Sequence, residues 1–108
     1  MFWYDNMYLG KSCLYKVNRI KYKISNRIDH PTVYLITLAQ NGHGVLEMIP
    51  STLLLQRAYP SEDLRIVGMG GSRRESLELM RQIIEEVYRQ QHDFDVAAFM
   101  ESGNSRMR

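Results

Sequence analysis

The sequence has one cysteine, Cys13, so no internal disulfide can form and a reducing compartment is the expected setting. Cys13 itself reads as a small core residue, since a reactive thiol needs an electropositive pocket. No run approaches the roughly 20 apolar residues of a membrane-spanning helix. The start, MFWYDNMYLGK, lacks a basic stretch followed by an apolar run and a small-residue cleavage site, so it does not read as a secretory signal. The cytoplasm is the expected location. Charge bias is also small: 14 basic and 12 acidic residues leave +2, which does not by itself call for a nucleic-acid or acidic partner.

Catalytic signatures are missing as well. The three histidines, His30, His43 and His92, stand far apart, and there is no H-x-x-x-H or C-x-x-C spacing, so no metal is expected. Neither the G-x-S-x-G elbow nor the G-x-x-x-x-G-K-[ST] phosphate loop occurs. Cys13 can be paired on paper with a histidine, and Asp93 with Asp95. The second pair is explained more simply as a helix stop and a turn residue. No catalytic residue and no cofactor are therefore expected, and the chain does not read as an enzyme.

What is present is enough for one domain with one core, over residues 1–101, followed by a tail, 102–108, expected to be disordered. Residues 20–28 alternate strictly. Ile20, Tyr22, Ile24 and Ile28 interleave with Arg19, Lys21, Lys23 and Arg27, which predicts a strand with one buried and one basic face. Asp29-His30-Pro31-Thr32 breaks it, and residues 33–39, VYLITLA, read as a central strand joined to the first by a hairpin. Residues 40–44 are a loop by composition, and 45–49 fit either a strand or the approach to a helix. A short helix is expected after Pro50 with Ser51 as its N-cap and Leu53, Leu54 and Ala58 inward. A third strand at 64–69 is expected to lie parallel to the second. A long helix over 73–90 buries a stripe of Leu77, Met80, Ile84, Val87 and Gln91 flanked by Ile83 and Tyr88, and His92-Asp93 closes it. Residues 94–100 are a strand or a helical turn. The fold class is α+β: a small two-layer domain with a mixed sheet of three or four strands, one long helix and one short one.

Three features are candidates for binding. The stretch RIVGMGGSRRESLEL carries a glycine turn before a helix, and backbone amides there, with the helix dipole, suit an anion or nucleotide at Gly70, Gly71, Ser72, Arg73 and Arg74. The dinucleotide spacing G-x-G-x-x-G fails because Arg73 stands at its third glycine. The competing explanation is a capping box, in which the Ser72 hydroxyl accepts from the Glu75 amide and the Glu75 side chain reaches back to the Ser72 amide. Gly70 and Gly71 would then supply backbone angles that a β-carbon resists. Arg73 and Arg74 remain unexplained by it, since cations oppose the dipole at a helix start.

The second candidate is the basic face Arg19, Lys21, Lys23 and Arg27, preceded by Lys16 and Lys11 and beside Tyr15, which suits single-stranded nucleic acid, or else protects an edge strand from pairing. The third is the aromatic N-terminal segment, residues 1–13, where Phe2, Trp3, Tyr4 and Tyr8 either fold over the sheet or form a subunit contact.

The segments VYLITLA, IPSTLLLQRAYP, DLRIVGMGGSRRESLELM and DFDV resemble a family of small uncharacterised bacterial proteins. The resemblance implies a bacterial, cytoplasmic, single-domain protein and carries no activity with it. The reading by elimination is a non-enzymatic interaction or regulatory module, homodimeric, with nucleic-acid or anion binding as the alternatives.

Overall fold

The computed structural model describes residues 1–39 and 45–102, so the loop expected at 40–44 and the tail from 103 onward lie outside the described residues. Strands β1 (Phe2–Leu9), β2 (Tyr34–Leu38), β3 (Leu46–Pro50) and β4 (Arg65–Gly70) form one mixed sheet in the order β1-β4-β2-β3. Helices α1 (Val17–Ser25), α2 (Arg73–Gln91) and α3 (Val96–Glu101) pack around it. The class is the α+β one, with α2 as its long helix. The short helix after Pro50 is a 3-10 helix, Ser51–Leu55, in which Leu54 is buried and Ala58, beyond its end, is exposed.

The basic segment is a helix, which corrects the strand reading of 20–28. Ile20 and Ile24 are buried, whereas Tyr22 is 63% exposed and Ile28 39% exposed. A strand would have buried all four. Ile20 and Ile24, four apart, satisfy a helical period as well as a period of two, and Cys13 and Val17 extend the same face backwards. Packing of that face into the core overrides the strand preference of isoleucine.

The strand directions change as a result. β2 has no hairpin partner before it; it pairs antiparallel with β3 on one side and antiparallel with β4 on the other. The parallel relation expected between β2 and β4 is found instead between β1 and β4. The cause is β3, a true strand that reverses the chain once more before it crosses to β4.

α2 covers the sheet with Ser76, Leu79, Ile83 and Val87, a stripe that keeps the expected Val87 but is turned one residue at the other three positions, and Leu77 is left 49% exposed. Small residues set this rotation. A methyl group on Gly70 would collide with the Ser76 hydroxyl, so the helix begins hard against the end of β4. His92 ends α2 in the left-handed region (φ 61°), and its amide donates to the Tyr88 carbonyl. Asp95 caps α3 by accepting from the Ala98 amide at 3.1 Å, and Asp93 accepts from the Asp95 amide at 3.0 Å, so both aspartates serve the turn.

Successive residues of β1 face opposite sides of the sheet. The Tyr4 hydroxyl donates to Glu101 of α3 at 2.9 Å and the Tyr8 hydroxyl to Glu86 of α2, while Trp3 lies under Lys21 of α1, whose Nζ is 5.6 Å from the ring centroid. α2 and α3 thus cover one face, and α1 approaches the other. Within the described residues no helix is long and apolar enough to cross a membrane.

Candidate functional site

The glycine turn before α2 already holds an anion, and it is a side chain of the protein. Ser72 caps the helix as expected, its hydroxyl accepting from the Glu75 amide at 3.1 Å. The Glu75 carboxylate, however, turns to the Gly71 amide at 2.6 Å rather than to Ser72, and accepts the Ser12 hydroxyl at 2.8 Å. The bond from the Gly71 amide is the main cause that holds this carboxyl below its usual range. Neither Gly70 nor Gly71 has a left-handed backbone, so their expected role is corrected: they provide room. A methyl on Gly71 would meet the Ser12 hydroxyl. Of the five candidates here, Ser72 caps, the two glycines permit close packing, and Arg73 and Arg74 are exposed with no ion pair among the described residues.

The basic residues are redistributed by the helix. At i, i+3, i+4 and i+7, Lys16, Arg19, Ile20 and Lys23 share one flank of α1. Lys21 lies on the opposite flank over Trp3, and Arg27 sits beyond the helix end in a left-handed conformation (φ 55°). The four expected to form one face therefore do not. Arg19 and Lys23 are joined instead by Lys16 around a pocket of about 200 Å³, whose other wall is His30, Pro31 and Val33. No carboxylate lines this pocket, and none of its three cations makes an ion pair among the described residues.

The wall is held by a buried polar chain. His30 Nδ1 lies 2.8 Å from the Ile28 carbonyl, which can only accept, so Nδ1 carries the proton. In the neutral ring Nε2 is then the acceptor, and the Ser51 hydroxyl donates to it across 2.8 Å. Ser51 Oγ in turn accepts the Val33 amide at 3.0 Å. Ser51 is fully buried, so this serine–histidine pair fixes the 28–33 segment and offers no nucleophile to solvent. This also corrects the expected N-cap role of Ser51, which makes no capping bond. Nothing in the sequence marks the pair, because 21 residues separate its members.

The aromatic candidates divide. Tyr4 and Tyr8 are core residues, which removes them from any interface; burial, with the Glu101 bond, raises the Tyr4 hydroxyl above its ordinary pKa. Trp3 is half-buried, and Phe2 is 52% exposed but stands edge-on to Tyr4, with the Arg65 guanidinium 6.0 Å from its ring. A stacked pair of exposed aromatics lies elsewhere, where Tyr88 stands on Phe94 at 5.3 Å and each is half exposed. The open groove there, about 510 Å³, is completed by Ile84, Glu85, Arg89 and His92. A further groove of about 760 Å³ beside Glu75 mixes Lys11 and Arg74 with Glu75 and Glu78, so its charges largely cancel.

Among the described residues no group of three or more histidine, cysteine or acidic side chains is placed to hold a metal ion. Cys13 is fully buried, and burial pushes its thiol pKa up. No family model matches the sequence, and neither the curated proteins nor the solved structures give a match.

Proposed function

We propose that this protein is a non-enzymatic interaction module that works as a homodimer through the outer flank of α2. The observation that carries the reading is a second apolar stripe on that helix. Leu77, Tyr88 and the adjoining Phe94 are about half exposed, Ile84 lies between them half-buried, and the buried stripe is a separate one. Leu77, Ile84 and Tyr88 fall at i, i+7 and i+11, so they line up along the helix. Large aromatic side chains gathered at one exposed place are characteristic of contact centres.

Charge favours a second copy as the occupant. α2 starts with Arg73 and Arg74 and carries Glu85 in its second half, so two copies crossing antiparallel near Met80 and Arg81 set Leu77 against the partner's Ile84. The same pairing brings Arg73 and Arg74 towards the partner's Tyr88, giving them a cation–π partner, and towards its Glu85, which Arg81 of the same helix also bonds. Light scattering on the full chain and on a Leu77→Glu, Tyr88→Glu variant tests the reading. The expected result is a dimeric mass that the double variant halves while its circular dichroism is unchanged. A monomer at every concentration up to the millimolar range would sink it.

A further inference from the structure

We infer that the pocket between α1 and His30 binds the phosphate group of a small phosphate ester. The first support is composition. Lys16, Arg19 and Lys23 converge on about 200 Å³ of space with no carboxylate in its lining. Arg81 bonds Glu78 and Glu85, and Arg65 lies 3.5 Å from Glu101, whereas these three cations have no ion pair among the described residues and share one small space. Three cations held on one flank without a counter-charge repel one another, and a multiply charged anion removes that cost.

The second support is size and shape. The space admits a phosphate with a few carbon atoms and is below the several hundred Å³ typical of pockets for larger ligands. A phosphomonoester carries close to two charges at neutral pH and offers three acceptor oxygens. Arg19 contributes a planar fork suited to two of those oxygens, and the lysines contribute point charges. The apolar parts of Ile20, Pro31 and Val33 leave a place for the carbon side of the ester.

The third support is rigidity. Pro31 is fixed in φ, and His30 has both ring nitrogens engaged, to Ile28 and to Ser51. A wall that does not have to be ordered on binding preserves affinity. Nucleic acid is disfavoured as the source of the phosphate. A strand needs a continuous track of cations, and Lys21 and Arg27 lie off this flank.

The test is a titration of the full chain with inorganic phosphate, glycerol 3-phosphate and an unphosphorylated single-stranded thymidine oligonucleotide, followed by 1H–15N spectra. Saturable shifts are expected at α1, the Arg19 Nε–H and the His30 Nδ1–H, with glycerol 3-phosphate binding at least as well as phosphate. Arg19→Gln and Lys23→Gln should each weaken binding roughly tenfold, while Lys21→Gln changes it less than about twofold. The wild-type shift map stands even if a variant folds poorly. Absence of saturable shifts, shifts centred on the Ser72 amides, or equal loss in Lys21→Gln would each overturn the inference. So would tighter, steeply salt-dependent binding of the oligonucleotide. The map is read in the same way whether the protein is a monomer or a dimer, so it is independent of the self-association reading.

Discussion

The Glu75 carboxylate accepts the Gly71 amide at 2.6 Å, and through the Ser12 hydroxyl it also ties the 3-10 turn Lys11–Cys13, which follows β1, to the start of α2. A glycine-rich helix start is a ready anion site because its amides converge and the helix dipole adds to them. Here the anion is supplied by the third residue of the helix itself. The bond also explains Gly10, where a methyl group would strike the Glu75 carboxyl. One carboxylate therefore occupies the glycine turn and joins two segments 63 residues apart in the chain.

Glu75→Gln should destabilise the protein by about 1–3 kcal/mol near pH 7, the usual range for losing charged hydrogen bonds. The pH dependence has a definite sign. The Gly71 amide lowers the folded pKa of Glu75, so the folded protein holds this proton less tightly than the unfolded chain does. The stabilisation is full above the unfolded value of about 4.3 and is lost as the pH falls through the lower folded value. Urea denaturation of both proteins near pH 7 and near pH 3 measures this, and the gap should narrow in acid. An equal gap at both pH values would mean that charge has no part in it.

The two readings of residues 20–28 differ most at Tyr22 and Ile24. A strand buries both; the helix buries only Ile24. Ile24→Ala should cost about 2–5 kcal/mol, and Tyr22→Ala less than about 1 kcal/mol. Denaturant midpoints settle the comparison, and backbone carbon shifts over 17–25 give a second check. Similar losses at both positions would return the segment to a strand.

That segment also marks where the sequence is legible and where it is not. The core of β2 and β4, the Ser72 cap, the helix end at His92 and the turn role of Asp93 and Asp95 follow from local chemistry that a few adjacent residues carry. The period at Ile20 and Ile24 fits two structures, and only burial against the rest of the core decides between them. Strand direction depended on β3, whose five residues, LEMIP, alternate too weakly to declare a strand. The pocket is half legible: Lys16, Arg19 and Lys23 are basic residues of one short segment, but separating them from Lys21 and Arg27 and bringing them to His30 takes the helix and a long-range packing contact. Ser51 bonded to His30, and Glu75 bonded to Ser12, leave no local trace at all.

Cys13 should be inert to thiol reagents in the native protein. Its side chain is fully buried, and burial raises its pKa, so it is both inaccessible and protonated. Labelling with a chromogenic disulfide is expected only at the rate of unfolding, and to become fast in denaturant. Rapid stoichiometric labelling of the native protein would contradict the packing of α1 and the preceding turn.

His30 should be found with a proton on Nδ1, because the Ile28 carbonyl can only accept. Long-range 1H–15N spectra of the imidazole read this directly. Ser51→Ala removes the donor to Nε2 and the acceptor of the Val33 amide in a fully buried place, which should cost about 1–3 kcal/mol. Ser51 does not line the pocket, yet it holds the wall that does. The variant should therefore loosen the ring, seen as broadened His30 signals, and weaken phosphate binding several-fold with the three cations intact. A Ser51→Ala protein with unchanged stability and a sharp, unshifted His30 spectrum would show that the chain from Val33 to Ile28 does not order the wall.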